Sequence, residues 1–587
     1  MLFGYLRVAA LAVAVAVAYA AFSRGLLSGW WLAAPAIAFF WAGGRLDRAV
    51  NARTRLGRAV AFYERALARL DGRWAGTGGE TGDRFLDDRH LFARDLDIFG
   101  PASLFELLSS ARTRIGEDTL AGWLKAPAEP EVVRARQEAL GDLAQRIDLR
   151  EDLAVLGEDA GTRVHVEALA SWGERPARLE SAAVPAWTWP LSVAGALGLV
   201  SLLVWVGGQI GPAPLSAKTL AALRTYGLTI VAACGAVVWY FHARTSAIFR
   251  DVDYAAHELG LLKDVLGRLE TERFAAARLT ALRAELDVEL ERGHPPSHRI
   301  ARLEALVDLV DSRDHFIVRL IGPVLLWDLH LAYAIERWRG TSGPAVRRWL
   351  AAVGEMEALS SLAGYHFEHP DDVFPELSAG PACFDGDDLG HPLLPEASTV
   401  RNDVRLTGEV RMLVVSGSNM SGKSTLLRTV GVNAVLAQAG APVRARRLRL
   451  TPLQIGASIR IQDSLLAGVS RFYAEITRLG QIMDRTREAP PVFFLIDELL
   501  HGTNSHDRRI GAEAIVRGLV ERGAIGLVTT HDLALAHVAD ALGARGANVH
   551  FEDSLEDGRM HFDYRMRPGV VQKSNAIALM RSVGLDV

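Results

Sequence analysis

The spacing of apolar positions along this chain changes several times, and each change marks a different kind of element. Four stretches, Leu2 to Phe22, Leu26 to Ala42, Trp187 to Val206 and Leu220 to Phe241, are almost free of charge. Each comes close to the ~20 apolar residues that carry a helix across a bilayer, so the pattern predicts four transmembrane helices paired as two hairpins. Trp30, Trp41, Trp189, Trp239 and Tyr240 stand near their ends, as in interfacial aromatic belts. Ala18-Tyr19-Ala20 has the layout of a signal-peptide cleavage site, but Leu2 and Phe3 precede the first charge, Arg7, so the segment is expected to stay as an anchor.

Helical spacing fills the regions between and after the hairpins. Leu104, Leu107 and Leu108 lie three and four apart between the turn pairs Gly100-Pro101 and Ala126-Pro127. Leu259, Leu262, Leu266 and Leu269, then Leu279, Leu282, Leu286 and Leu290, form stripes broken at Gly293-His294-Pro295-Pro296. The apolar run Ile317 to Leu331 is interrupted by Arg319, Asp328 and His330, which predicts a buried soluble helix and not a fifth span. From about Phe374 the runs become short and are separated by Pro, Gly and Asp, as in an α/β domain. The expected organisation is a hairpin over 1–44, a helical region over 45–186, a second hairpin over 187–241, long helices over 242–370 and an α/β domain over 371–587.

That last domain carries the chemistry. Met412-Leu413-Val414-Val415 reads as a strand, and Gly417-Ser418-Asn419-Met420-Ser421-Gly422-Lys423-Ser424-Thr425 follows it. The pattern G-x-x-x-x-G-K-[ST] turns consecutive backbone N–H groups around phosphates while a lysine and a hydroxyl reach the terminal phosphates and Mg²⁺. ATP with Mg²⁺ is the expected ligand, and 371–587 reads as an α/β P-loop NTPase domain. Val492 to Ile496 reads as a second buried strand ending in Asp497-Glu498. Asp497 and Ser424 are the candidate Mg²⁺ ligands, and Glu498 the candidate general base. The strand Ile525 to Thr530 delivers His531 to the same end of the sheet, where it could position water or sense the terminal phosphate.

Charge and composition limit the partners. The net charge of −4 advertises no nucleic-acid surface, so a DNA contact would need a local patch. Arg444, Arg446, Arg447 and Arg449 form a local basic run, and the alternation with Ala445 and Leu448 favours a solvated strand edge. Cys234 and Cys383 stand alone and suggest neither a disulfide nor a zinc site. Arg45, Arg48, Arg53, Arg55 and Arg58 follow the second apolar stretch, so the positive-inside rule puts the large soluble parts in the cytoplasm, on the inner face of the cytoplasmic membrane.

The inner Asn419-Met420 goes beyond a generic phosphate loop, and with it the sequence resembles the MutS family of DNA mismatch repair ATPases. Asp463 to Phe472 is similar to the family's signature loop, and the resemblance implies a homodimer in which Ser470 reaches the ATP of the partner subunit as a catalytic residue, alongside Lys423, Glu498 and His531. Gly502-Thr503 with Asp507, Thr530-His531, and Lys573 to Ala578 continue the likeness. His391 to Leu394 with Asn402-Asp403 resembles the entry into the ATPase domain. Leu96 to Gly100, Ser103 to Phe105, Thr113 to Gly116 and Trp123 to Pro127 resemble the helical core.

Departures bear on the partner. Residues 43–84 are too few for the family's mismatch-reading domain, and Phe472-Tyr473-Ala474-Glu475, the only string like its Phe-x-Glu motif, belongs to the signature loop. No connector domain fits, and the family's C-terminal extension is not expected after Gly584-Leu585. Leu500 and His501 stand where the family has glycine and arginine. The expectation is a membrane-anchored MutS-like ATPase, with DNA binding implied by the resemblance alone. An ATP-gated scaffold for a protein partner stays open beside it. A transporter-like ATPase fits less well, because Leu466 to Ser470 departs from the transporters' signature and the apolar segments lack a polar path.

Overall fold

The computed structural model describes residues 2–77, 79–160, 165–179, 185–210, 215–287, 294–460, 471–500, 505–556 and 559–571. It divides into two compact units, Met1–Ala68 and Arg69–Val587.

In the first unit the helix Leu2–Ala18 passes through a π-turn, Tyr19–Ser23, and a 3₁₀ turn, Gly29–Leu32, before the helix Ala33–Leu70 begins. The Arg7 guanidinium lies 4.7 Å over the Phe39 ring, a cation–π contact that shelters the one charge of the first helix. Three helical segments among the described residues, Phe3–Ser23, Thr188–Ile210 and Ala217–Glu270, are long and apolar enough to cross a membrane. The expected second span, Leu26 to Ala42, is not among them. Gly25 takes φ +62°, the chain turns through Ser28, and helix starts only at Ala33. From Ala33 to the first charge at Arg45 the helix rises about 18 Å at 1.5 Å per residue, short of the ~30 Å hydrocarbon thickness.

The second unit is organised on the helix Trp327–Glu368. Helices Arg114–Lys125, Pro130–Ala144, Val166–Glu174 and Ala217–Glu270 pack along it. Gly343 and Gly173 let one crossing close: a Cβ on Gly343 would lie 2.2 Å from the Gly173 carbonyl oxygen. Trp172 and Trp338 fill the adjacent space with ring centroids 5.9 Å apart. The first leucine stripe, Leu259 to Leu269, lies on Ala217–Glu270 and the second, Leu279 to Leu286, on Ala277–Asp287, while Leu290 lies outside the described residues. The next helix, Pro296–Asp311, starts where proline at its first turn costs no hydrogen bond.

The run Ile317 to Leu331 is not one buried helix. Phe316–Ile321 forms a short helix that stops at Gly322-Pro323, and the long helix restarts at Trp327 after Leu326 takes φ +52°. Pro323 cannot continue the helical hydrogen bonding. Phe316, Ile317 and Leu320 face outward.

After Glu368 the chain becomes α/β. A four-stranded sheet has the order β1 (Glu376–Leu377), β5 (Arg447–Leu450), β2 (Phe384–Leu389), β3 (Asn402–Leu406). The six-stranded sheet has the order β10 (Arg559–Pro568), β9 (Gly546–Glu556), β4 (Met412–Ser416), β8 (Ile525–Thr530), β7 (Val492–Ile496), β6 (Gln454–Ser458). Strands β9, β4, β8, β7 and β6 are parallel, so their carboxyl ends share one rim. Residues in β4, β7 and β8 are buried throughout, which accounts for their unbroken apolar runs. The outer strand β6 is covered at Ala457, whose N–H donates to the Leu91 carbonyl at 2.8 Å.

Candidate active site

The site stands at the carboxyl rim, where β4 leaves the sheet. Gly417 takes φ +152°, Met420 +69° and Gly422 +103°, so the backbone curls before the helix Lys423–Ala439 begins. A side chain at Gly417 would press on Ser421 Oγ at 2.8 Å, and one at Gly422 would meet the Tyr564 ring at 3.1 Å. The helix's first-turn amides have no intrahelical acceptor and present positive partial charge to this curl. Lys423 folds back over it, donating to the Gly417 and Ser418 carbonyls at 2.8 and 2.7 Å. Burial pulls its ammonium below the ordinary lysine range, while Glu498 and Asp497 act in the opposite sense.

The second strand delivers its acids beside this loop. Ser424 Oγ donates to Asp497 Oδ2 at 2.6 Å, and Thr529 Oγ1 donates to Asp497 Oδ1. The Asp497 N–H is tied to the Ser458 carbonyl at 2.9 Å. Glu498 stands in the left-handed region at φ +50°, held by its N–H to Thr529 Oγ1 at 3.0 Å. Its Oε1 lies 3.3 Å from His531 Nδ1 at the end of β8. The structure therefore brings Gly417, Ser418, Asn419, Met420, Ser421, Gly422, Lys423, Ser424 and Thr425 together with Asp497, Glu498 and His531. Ser470, His501, Gly502, Thr503 and Lys573 to Ala578 lie outside the described residues.

Leu500 occupies the position where the resembled family has glycine, and it has φ +57°, a conformation that glycine adopts without strain. Two interactions hold it there. The buried Glu475 Oε1 accepts the Leu500 N–H at 2.6 Å, and Arg508 Nε donates to the Leu500 carbonyl at 3.1 Å. Glu475, the acid of the Phe472-Tyr473-Ala474-Glu475 string, is thus a structural clamp.

A cavity of about 640 Å³ opens over the loop, lined by Asn419, Lys423, Ser424 and Glu498 on one side and by His391, Val400, Phe551 and Tyr564 on the other. Of its second wall the sequence marks only His391, through the resemblance at His391 to Leu394; Phe551 and Tyr564, from β9 and β10, have no local signal. His391 is held neutral. Burial, then the nearby Arg428 and Arg444, lower its pKa to about 4, and its Nδ1 accepts the Leu393 N–H at 3.2 Å.

Mg²⁺ and a triphosphate fit these residues. The Ser418 and Ser421 hydroxyl oxygens are buried without a hydrogen-bond partner beside a desolvated ammonium, which is the donor set of an anion cradle. Among the described residues no group of three or more His, Cys, Asp or Glu could cage a metal. One carboxylate and one hydroxyl suit Mg²⁺, which keeps several waters and takes phosphate oxygens as ligands.

The basic run is not a strand edge. β5 lies between β1 and β2, and its arginines form an ion ladder. Arg447 reaches Asp385 and Asp387, both at 3.0 Å, and Arg446 reaches Asp388 at 3.2 Å. Arg444 is buried and donates to the Leu394 carbonyl at 2.9 Å.

Comparison with known proteins places this geometry. Residues 413–586 match the family model for MutS domain V. The chain is 36% identical over 203 residues to a protein named endonuclease MutS2 from Thermus thermophilus, covering 33% of this chain and 25% of that protein. A DNA mismatch repair protein MutS 2 from Halobacterium salinarum is 32% identical over 263 residues, covering 43% of this chain and 28% of its own length. A DNA mismatch repair protein MutS from Shouchella clausii is 33% identical over 202 residues, covering 33% and 23%. The chain spans about a quarter of the length of the curated relatives it matches. Residues 413–586 of this chain are thus similar to domain V of MutS proteins, and the likeness is carried by that domain.

Proposed function

We propose that this chain is a membrane-anchored MutS-type ATPase that binds and hydrolyses Mg·ATP at composite sites in a homodimer. The observation that carries the reading is the convergence of Lys423, the Ser424–Asp497 pair and Glu498 on one cavity at the carboxyl rim of a parallel sheet. Bound Mg²⁺ would supply charge neutralisation between the phosphates.

The chain's own groups do the rest. Lys423 turns from the loop carbonyls to the β/γ-phosphates, which accept its charge more strongly than neutral oxygens do. The freed loop amides and the Ser418 and Ser421 hydroxyls enclose the phosphates. Asp497 and Ser424 would hold the metal, and Thr529 fixes the Asp497 carboxylate. Glu498 takes the proton of the attacking water, with His531 orienting the carboxylate. Ser470 of one subunit completes the site of the other, so ATP closes the dimer and hydrolysis reopens it. The apolar helices anchor the chain in the cytoplasmic membrane with the ATPase in the cytoplasm.

DNA is the partner by kinship with relatives named for mismatch repair. The pairing of Arg446 and Arg447 with Asp388, Asp385 and Asp387 favours a second reading, in which ATP drives a protein partner at the membrane. ATP hydrolysis by the detergent-solubilised full chain, with and without duplex, branched and mismatched DNA at several salt concentrations, tests both. Salt-sensitive stimulation supports DNA. Unstimulated hydrolysis with no DNA binding supports the protein partner, and equal hydrolysis by Lys423→Ala would refute the site.

A further inference from the structure

Among the described residues, nothing covers the apolar face that the short helix Phe316–Ile321 presents through Phe316, Ile317 and Leu320. Phe316, Ile317 and Leu320 are 79%, 67% and 65% exposed. Three such residues in one turn and a half would be a liability in water.

Their surroundings say what covers them. The turn after this helix is docked on the apolar hairpin of Thr188–Ile210 and Ala217–Glu270. The Val324 carbonyl sits where a Cβ on Gly195 would lie 2.3 Å away, beside Cys234 Sγ. Ser192 Oγ donates to the Leu325 carbonyl at 2.9 Å and lies 2.9 Å from His330 Nε2, and Trp189 packs on the His330 ring at 4.7 Å. Ser192 and Gly195 are in the first two turns of a helix whose outward residues, Trp189, Val193, Leu197, Val200 and Leu203, are all exposed and all apolar or aromatic. The exposed face of Phe316–Ile321 thus flanks the end of the hairpin that enters from the soluble side, at the level of Trp189, where interfacial aromatics sit. Arg313 precedes it and lies over the Phe249 ring at 4.5 Å, keeping a cation near the headgroup level.

We propose that Phe316–Ile321 is a membrane-surface foot, with Phe316, Ile317 and Leu320 buried at the headgroup–acyl boundary of the cytoplasmic leaflet. The inference rests on the membrane-anchored reading. Its consequence is mechanical. The helix Trp327–Glu368 starts just after this foot and ends where Glu368 meets Arg69, shortly before the first strand, Glu376–Leu377. One helix of about 60 Å, at 1.5 Å per residue, therefore joins the bilayer surface to the nucleotide domain. A lipid contact at one end is connected to the domain that ATP would close.

Depth-dependent quenching tests the foot. In the full chain with Cys383→Ser, Cys234 being fully buried, a fluorophore is placed on Phe316→Cys, Leu320→Cys or Val200→Cys. Each protein is reconstituted into phosphatidylcholine–phosphatidylglycerol vesicles whose lipids carry quenchers near the headgroup or near the chain ends. The foot predicts that labels at 316 and 320 lose most emission to the headgroup-proximal quencher, and the label at 200 to the deep one. Quenching at 200 with none at 316 or 320 overturns the foot and leaves the anchor. Absence of quenching at all three overturns the anchor and the foot with it. Disulfide capture of two copies through Phe316→Cys without lipid quenching also overturns it, in favour of a protein contact.

Discussion

The Ser424 hydroxyl and the Asp497 carboxylate, from a helix start and a strand end, meet at 2.6 Å. Thr529 secures the other carboxylate oxygen, so Asp497 is oriented before any metal arrives. Asp497→Asn and Ser424→Ala should each raise the Mg²⁺ concentration needed for half-maximal hydrolysis about 10- to 100-fold, the range for lost metal-site partners. A Mg²⁺ titration of ATPase rate reads this. An unchanged requirement in both variants would remove the pair from the metal site.

Glu498 should affect chemistry and leave binding intact, since its carboxylate meets His531 and its backbone N–H meets Thr529. Glu498→Gln should lower kcat by about 10²- to 10⁴-fold while fluorescent ATP still binds with parental affinity. Glu475→Gln differs, because Glu475 holds the strained Leu500 backbone two residues beyond Glu498. It should lower kcat less than Glu498→Gln does and also lower Tm, by the equivalent of about 1–3 kcal/mol for a weakened buried hydrogen bond. Equal Tm in parent and Glu475→Gln would refute the clamp.

What could be read before the structure follows physical range. The phosphate loop, β4 and β7 are local, and each announces itself within a few residues by glycine spacing or an unbroken apolar run. The cavity's second wall could not be assembled, because His391 was legible only as part of a resemblance, while Phe551 and Tyr564 arrive from strands far from it in the chain. The break at Gly322-Pro323 was hidden inside a run whose hydropathy looked continuous, although its two breaker residues were in plain view. Hydropathy over Leu26 to Ala42 suggests a span, and the Gly29–Leu32 turn interrupts it. Leu500 was visible as a departure from a family pattern, while its left-handed backbone was not.

Asp95 and Asp97 link the helical region to the residues just before the signature loop. Asp95 Oδ1 accepts the Ile459 and Arg460 N–H groups, both at 2.7 Å, and Asp97 pairs with the Arg460 guanidinium and lies 3.7 Å from Arg428 of the phosphate-loop helix. Asp95 is buried and Asp97 is partly exposed, which separates their effects. Asp95→Ala leaves two amides unpaired and should cost about 1–3 kcal/mol per buried donor. Asp97→Ala should cost about 1 kcal/mol or less. Thermal unfolding of the two variants decides this, and equal losses would contradict the distinction.

The buried Glu357 makes stability depend on pH at the junction of the long helix with the helical core. Its carboxylate accepts the Arg112 N–H at 3.3 Å and the Thr113 N–H at 3.2 Å, and the Thr113 hydroxyl as well, while Arg112, Glu117 and Glu158 are the charged groups around it. Burial is the largest cause of a pKa raised from 4.5 to about 7, outweighing the hydrogen bonds that favour ionisation. The folded chain therefore holds a proton that the unfolded chain releases. Glu357's contribution is full below about pH 4.5 and is lost as pH rises through about 7. The shift corresponds to about 3 kcal/mol across that window. Glu357→Gln should remove this slope, because an amide cannot titrate yet can still accept from one backbone N–H and donate to Thr113. Urea unfolding of both proteins between pH 5 and about 8 measures it, the range set by the shifted carboxyl. Parallel curves for parent and variant would show that Glu357 ionises normally and that the junction is insensitive to pH.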